Sequence, residues 1–169
     1  MKTSEKGIAL IKRFEGIHDG DLKAIGLQPK MCPSGIWTVG YGYALRNKRT
    51  GQWLKGKADY PLIAQQYPEM ITITEQRADE LLREVISQYE DIVDNRVKVA
   101  LCQNQFDALV SHTYNTGGSD TLFKLINADA TMEEIQKWWT SRYITGEGRV
   151  LAGLVARRRE EFNLFKQIA

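Results

Sequence analysis

Between residues 74 and 93 the apolar side chains recur at spacings of three and one: Ala78, Leu81, Leu82, Val85, Ile86, Tyr89, Ile92 and Val93. Only an α-helix of roughly five turns puts all of them on one face. Thr74 stands just ahead of the pattern in the N-cap position. Shorter helical patterns surround this one. Ser4 would cap a helix carrying Ile8, Leu10, Ile11 and Phe14, which Gly16 stops in the left-handed conformation that glycine adopts cheaply. Phe106, Leu109, Val110 and Thr113 mark a buried helix ended by Gly117-Gly118. Thr131 to Glu134 has capping-box form ahead of Ile135, Trp138 and Trp139, and Leu154 to Phe165 gives a last helix. One stretch breaks the helical rule. Trp37 to Tyr43 alternates aromatic or β-branched residues with glycines and reads as a short twisted strand. Many helices and few strands point to an α+β fold.

The chain has 169 residues, enough for one well-cored domain burying roughly 70% of its unfolded surface. Its 43% hydrophobic and 26% charged residues exclude a disordered or membrane-embedded class. A net charge of +2 calls for no nucleic-acid partner, though it suits an anionic polymer such as a bacterial wall. Arg157 to Arg159 could pass for a nucleic-acid patch, but Glu160 and Glu161 follow at once, and a helix face with internal ion pairs is the better reading. The first 16 residues mix charged with apolar side chains and lack a secretory apolar run, and no window resembles a membrane span. Accumulation in the cytoplasm, without stable membrane association, is expected. Cys32 and Cys102 have no metal-like spacing, and His18 and His112 are isolated, so neither a metal nor another cofactor is expected. A disulfide would be unusual in a cytosolic product.

Glu15 closes the first helix at the negative end of its dipole, where a carboxylate is disfavoured by roughly 0.3–1 kcal/mol. A carboxyl that resists ionising suits a general acid, although a solvated surface glutamate is the plainer reading of the residue alone. A run Cys32-Pro33-Ser34-Gly35-Ile36-Trp37-Thr38-Val39-Gly40-Tyr41-Gly42 follows it. A carboxylic acid, a second polar group and a hydroxyl are what cleavage of a glycosidic bond needs. Together, Phe14-Glu15-Gly16 and the Cys32 to Gly42 run resemble the phage-type lysozymes, glycoside hydrolase family 24. Ile73-Thr74-Glu75, then Gln103 to Ser111 (QNQFDALVS), then Gly153-Leu154-Val155 with Arg157 to Glu160 match further family segments in order. The landmarks run from residue 7 to about 165.

The resemblance implies a lysozyme-like α+β fold in a single domain, residues 1–169. A small N-terminal lobe with short antiparallel strands (about 15–73) would precede a long connecting helix (about 75–94). A mostly helical lobe (about 95–169) would take in the N-terminal helix. It also implies an endo-acting muramidase that hydrolyses the β-1,4 linkage between N-acetylmuramic acid and N-acetylglucosamine in peptidoglycan. The enzyme would work as a monomer, reaching the wall after holin-dependent release from the host cytoplasm. By position, Glu15 is implied to be the general acid, Cys32 to hold the second catalytic position, and Thr38 to hold the attacking water. Tyr114 and Thr121 match sugar-contacting positions of the family, with an ordinary core aromatic as the other reading of Tyr114.

The sequence departs from the family's pattern at several points. Cys32 stands where an aspartate is common, and a thiol, mostly neutral at pH 7, could serve as thiolate nucleophile, weak base or neutral neighbour. Asp19 and Asp21 are candidates for the missing carboxylate, with capping of their own turn as the alternative. Tyr43 replaces a usual histidine, a loss expected to cost stability more than chemistry. Insertions near 17–31 and 46–69 are expected to alter substrate contacts and leave the core intact. Trp37 reads as lobe core and Cys102 as an inert core residue. Two other functions stay open: a lytic transglycosylase, which retention of Thr38 disfavours, and a non-catalytic peptidoglycan-binding module.

Overall fold

The computed structural model describes residues 1–168; Ala169, the last residue of the expected helical lobe, lies outside them. The chain is α+β and divides into two compact units, Glu15–Val85 and Met1–Phe14 with Ile86 onward. In chain order the helices are α1 (Glu5–Glu15), α2 (Tyr60–Gln66), α3 (Glu75–Arg96), α4 (Gln103–Thr116), α5 (Asp120–Asn127), α6 (Met132–Ser141) and α7 (Ala152–Phe165). The strands are β1 (Lys30–Met31), β2 (Trp37–Val39), β3 (Tyr43–Ala44) and a separate hairpin of β4 (Thr145–Gly146) with β5 (Arg149–Val150). The division between the two units falls inside α3.

The helix ends follow local chemistry. Ser4 accepts from the Gly7 amide at 3.4 Å and stands as the N-cap of α1, and Gly16, at φ +68°, ends it. Thr74 accepts from the Arg77 amide at 3.1 Å to cap α3. Thr131 and Glu134 exchange capping-box hydrogen bonds at α6, and Gly117, left-handed at φ +80°, closes α4.

In the unit Glu15–Val85 the three strands pair antiparallel in the order β1-β2-β3, with Lys30 opposite Thr38 and Thr38 opposite Ala44. The stretch read as one strand is two. Gly40 and Gly42, at φ +59° and +88°, reverse the chain between β2 and β3. The core is Leu27, Val39, Leu45, Leu54, Ile63, Met70, Ile73, Ala78 and Leu81. Leu27 comes from the first insertion, and Leu54 and Ile63 from the second. The insertions therefore build this core instead of sparing it. The Leu54 amide donates to the Leu45 carbonyl and the Leu54 carbonyl accepts from the Trp37 amide, both at 2.9 Å, so the segment extends the sheet's backbone network. Pro61 sits at the start of α2, where its missing N–H costs nothing.

In the other unit α4 packs on α7, and Phe106, Leu109, Leu122, Trp139, Phe162 and Phe165 fill the core. Asp107, fully buried, accepts from the Ser4 amide at 2.9 Å and from Gln103 Nε2 at 2.8 Å, tying the start of α1 to α4. The arginine cluster on α7 carries the expected internal ion pairs, and they are buried. Arg157, Arg158 and Glu161 are all buried, with Glu161 Oε1 accepting from Arg157 Nε at 3.1 Å and from Ser111 at 2.8 Å. Trp139 is buried and Trp138 half-buried.

Candidate active site

Glu15 is the last residue of α1 and is half-buried. Three residues later the chain meets the sheet: the His18 amide donates to the Gly40 carbonyl at 2.7 Å. The His18 ring reaches the buried hydroxyl of Thr38, with Nδ1 and Oγ1 2.7 Å apart. Thr38 also donates to the Lys30 carbonyl across the β1–β2 ladder at 2.9 Å. Burial holds the His18 imidazole below its ordinary pKa, and the Lys30 charge adds to this, while the Glu15 carboxylate pulls it back up. Glu15, His18, Lys30 and Thr38 thus form one electrostatic neighbourhood.

Cys32 opens the turn between β1 and β2. Its amide donates to the Ile36 carbonyl at 2.8 Å, and its carbonyl accepts from Gly35 at the same distance. The thiol lies 2.9 Å from the Ser34 hydroxyl. Burial works against the thiolate, but hydrogen bonding to Ser34 and to the Ile36 and Ser34 backbone outweighs it and holds the thiol below its ordinary pKa. Both Cys32 and Cys102 are free. Cys102 is half-buried at the N-cap of α4, where its amide donates to Gln105, so it is a helix-start residue and not a core one.

The two spare aspartates are occupied by their own loop. Asp19 accepts from the amides of Asp21 at 3.0 Å and Gln28 at 3.2 Å, and Asp21 accepts from Lys23 at 3.0 Å. Trp37 is half-buried, its indole N–H donating to the Gly56 carbonyl at 2.7 Å and its ring 4.9 Å from that of Tyr60. This aromatic pair lines a cavity of about 340 Å³ with Asp21, Gln28, Lys30 and Met31, a mix of ring face and polar rim that suits a sugar. Tyr43, in the family's histidine position, is half-buried against the unit's core.

Tyr114 and Thr121 belong to the other unit. Tyr114 is half-buried on α4 with its ring 5.1 Å from that of Tyr89, and Thr121 is exposed in the first turn of α5. His112, on α4, is buried beside Arg158 and Arg157. Burial, then those charges, hold its pKa well below the ordinary value. Among the described residues no group of His, Cys, Asp or Glu has the geometry to hold a metal ion, and no helix is long and apolar enough to cross a membrane. His18 is the neighbour of Thr38 that the sequence concealed. Its only local signal is its place just past the helix stop, and its ring partner Thr38 lies twenty residues on in β2.

A family model described as phage lysozyme matches residues 14–161, a span that includes Glu15, Cys32 and Thr38. The chain belongs to the phage lysozyme family. A phage lysozyme is a glycoside hydrolase, and this chain is an enzyme of that class. It is 32% identical to an endolysin of Acyrthosiphon pisum secondary endosymbiont phage 1, over 98% of this chain and 99% of that protein. An endolysin of Bacillus phage B103 is 34% identical over 98% of this chain, which spans 54% of that protein's length. Among solved structures, the muramidase domain of SpmX from Asticaccaulis excentricus superposes with a TM-score of 0.68 at 31% identity, covering 99% of both chains.

Proposed function

We propose that this phage lysozyme is an endolysin that hydrolyses the β-1,4 linkage between N-acetylmuramic acid and N-acetylglucosamine in peptidoglycan. Glu15 is the general acid that gives its proton to the leaving glycosidic oxygen. Thr38 holds the water whose oxygen bonds to the anomeric carbon. Glu15 recovers a proton from solvent, into which the water sheds one, so one water is added across the bond. Cys32 occupies the second catalytic position beside them, and Tyr114 and Thr121 contact the glycan. The enzyme acts as a monomer on wall peptidoglycan, and waits in the host cytoplasm for a holin to release it.

The observation that most supports this reading is a chemical set held in one structural unit. An acid ends α1, its charge felt at His18, and His18 touches the buried hydroxyl of Thr38, on the strand that follows the Cys32 turn. The test is digestion of purified sacculi with mass spectrometry of the soluble fragments. Reducing N-acetylmuramic ends are expected, with Glu15→Gln folded and slowed by about 10²- to 10⁴-fold. Ends lighter by one water would replace hydrolysis by transglycosylation. Full activity in Glu15→Gln would remove Glu15 from the chemistry.

A further inference from the structure

His18 has no role in the mechanism above, yet it is fastened to the site twice. Its amide is bonded to Gly40 and its ring nitrogen Nδ1 lies 2.7 Å from Thr38 Oγ1. A threonine hydroxyl has a single hydrogen and two lone pairs. Thr38 also lies 2.9 Å from the Lys30 carbonyl oxygen, which can only accept. Both contacts are hydrogen bonds at once in only one arrangement. Thr38 gives its hydrogen to Lys30, and His18 gives its Nδ1 hydrogen to Thr38.

That arrangement determines what the hydroxyl does next. With its hydrogen committed to Lys30 and one lone pair to His18, Thr38 has one lone pair left and can only accept. A water bound there must point a hydrogen at Thr38, which leaves the water's own lone pairs free to face an electrophilic carbon. A hydroxyl free to rotate would also donate to the water and occupy the lone pair that has to attack.

We propose that His18 is a positioning residue for hydrolysis. By donating Nδ1–H to Thr38 it locks the hydroxyl as a pure acceptor, so that the bound water is presented oxygen-first. The inference rests on the reading of Thr38 as the water's holder and adds a residue to it. His18 acts through Thr38 and touches no substrate atom.

Sacculus digestion by a set of variants tests this. His18→Ala is expected to lower turnover at saturating sacculi by about 10- to 100-fold, the scale of a misplaced reacting group, with half-saturation unchanged. His18→Asn puts an amide N–H near the place of Nδ1 and should recover activity to within a few-fold of the native enzyme. His18→Gln reaches toward the place of Nε2 and should not. Because His18 works through the Thr38 hydroxyl, His18→Ala combined with Thr38→Val should be no slower than Thr38→Val alone. Additive losses in that pair, or His18→Asn no better than His18→Ala, would overturn the proposal. If His18→Ala does not fold, the Asn and Gln variants, both polar, carry the comparison. Full hydrolysis by Thr38→Val would sink the reading of Thr38 itself. An inactive Thr38→Val beside a fully active His18→Ala would sink only the role of His18.

Discussion

Glu161 is the residue whose loss should harm the fold most for the smallest change in shape. Its side chain is wholly buried, with the Arg157 and Arg158 side chains 4% and 0% exposed. Oε1 accepts from Arg157 Nε at 3.1 Å, Arg158 Nη2 at 3.2 Å and Ser111 at 2.8 Å, while Oε2 accepts from the Trp139 indole at 3.3 Å. Burial raises the Glu161 carboxyl and lowers the Arg158 guanidinium, so each charge is held at a desolvation cost that the opposite charge does most to offset. Glu161→Gln keeps the size, removes the charge and turns one acceptor into a donor that faces other donors. Breaking a buried pair in this way costs about 3–5 kcal/mol. At this chain length each kcal/mol is worth roughly 2–4 °C, so the melting temperature should fall by about 6–20 °C. The neighbouring Glu160 is the control. Its side chain is 40% exposed and 3.7 Å from Arg13, so Glu160→Gln should cost at most about 1 kcal/mol. Urea unfolding followed by tryptophan fluorescence measures both, with midpoints compared at a common slope. A Glu161→Gln protein within about 1 kcal/mol of the native one would refute the argument, because it would mean the two guanidiniums do not depend on this carboxylate.

Two further outcomes are expected. Gly40→Ala would place a Cβ 2.8 Å from Ala78 Cβ and 3.1 Å from its Cα at a residue with φ +59°. Strain and crowding should together cost about 2–5 kcal/mol in urea, clearly more than Gly51→Ala, where φ is +72° but nothing lies within 4 Å; equal losses would show that crowding is absent. Cys32 should be alkylated by iodoacetamide with a pH midpoint below that of an ordinary thiol, since hydrogen bonding to Ser34 and the turn backbone favours its thiolate. Ser34→Ala should move that midpoint upward in peptide mapping, and an unmoved midpoint would exclude the Ser34 hydroxyl as the cause.

Much of this protein could be read from the order of its residues, and what could be read was local. Ser4, Thr74, Thr131 and Gly117 set helix ends because a cap bonds to backbone three or four residues away. The spacing from Ala78 to Val93 specified α3 for the same reason. Glu15, Cys32 and Thr38 could be named because each lies in a short contiguous run that matches the family, although their roles come from the resemblance and not from spacing. The glycine run was legible as extended chain, but its reversal was not, since the positive φ values at Gly40 and Gly42 go with the pairing of β2 with β3, and at Gly40 with the close approach of Ala78. The insertions looked like surface additions because their apolar residues are sparse, yet Leu27, Leu54 and Ile63 enter the core once the chain folds back. Arg157 to Glu161 could be read as an ion-paired helix face, but charge alone does not reveal that Arg157, Arg158 and Glu161 are buried. His18 looked isolated because its partners, Thr38 and Gly40, lie twenty and twenty-two residues further along the chain. Sequence by itself determined five of the seven helices among the described residues, several of their ends and the identity of the chemical groups, all matters of spacing along one chain. Tertiary structure decided which lone pair meets which hydrogen and which charge is buried, because those depend on distances between segments that no local periodicity encodes.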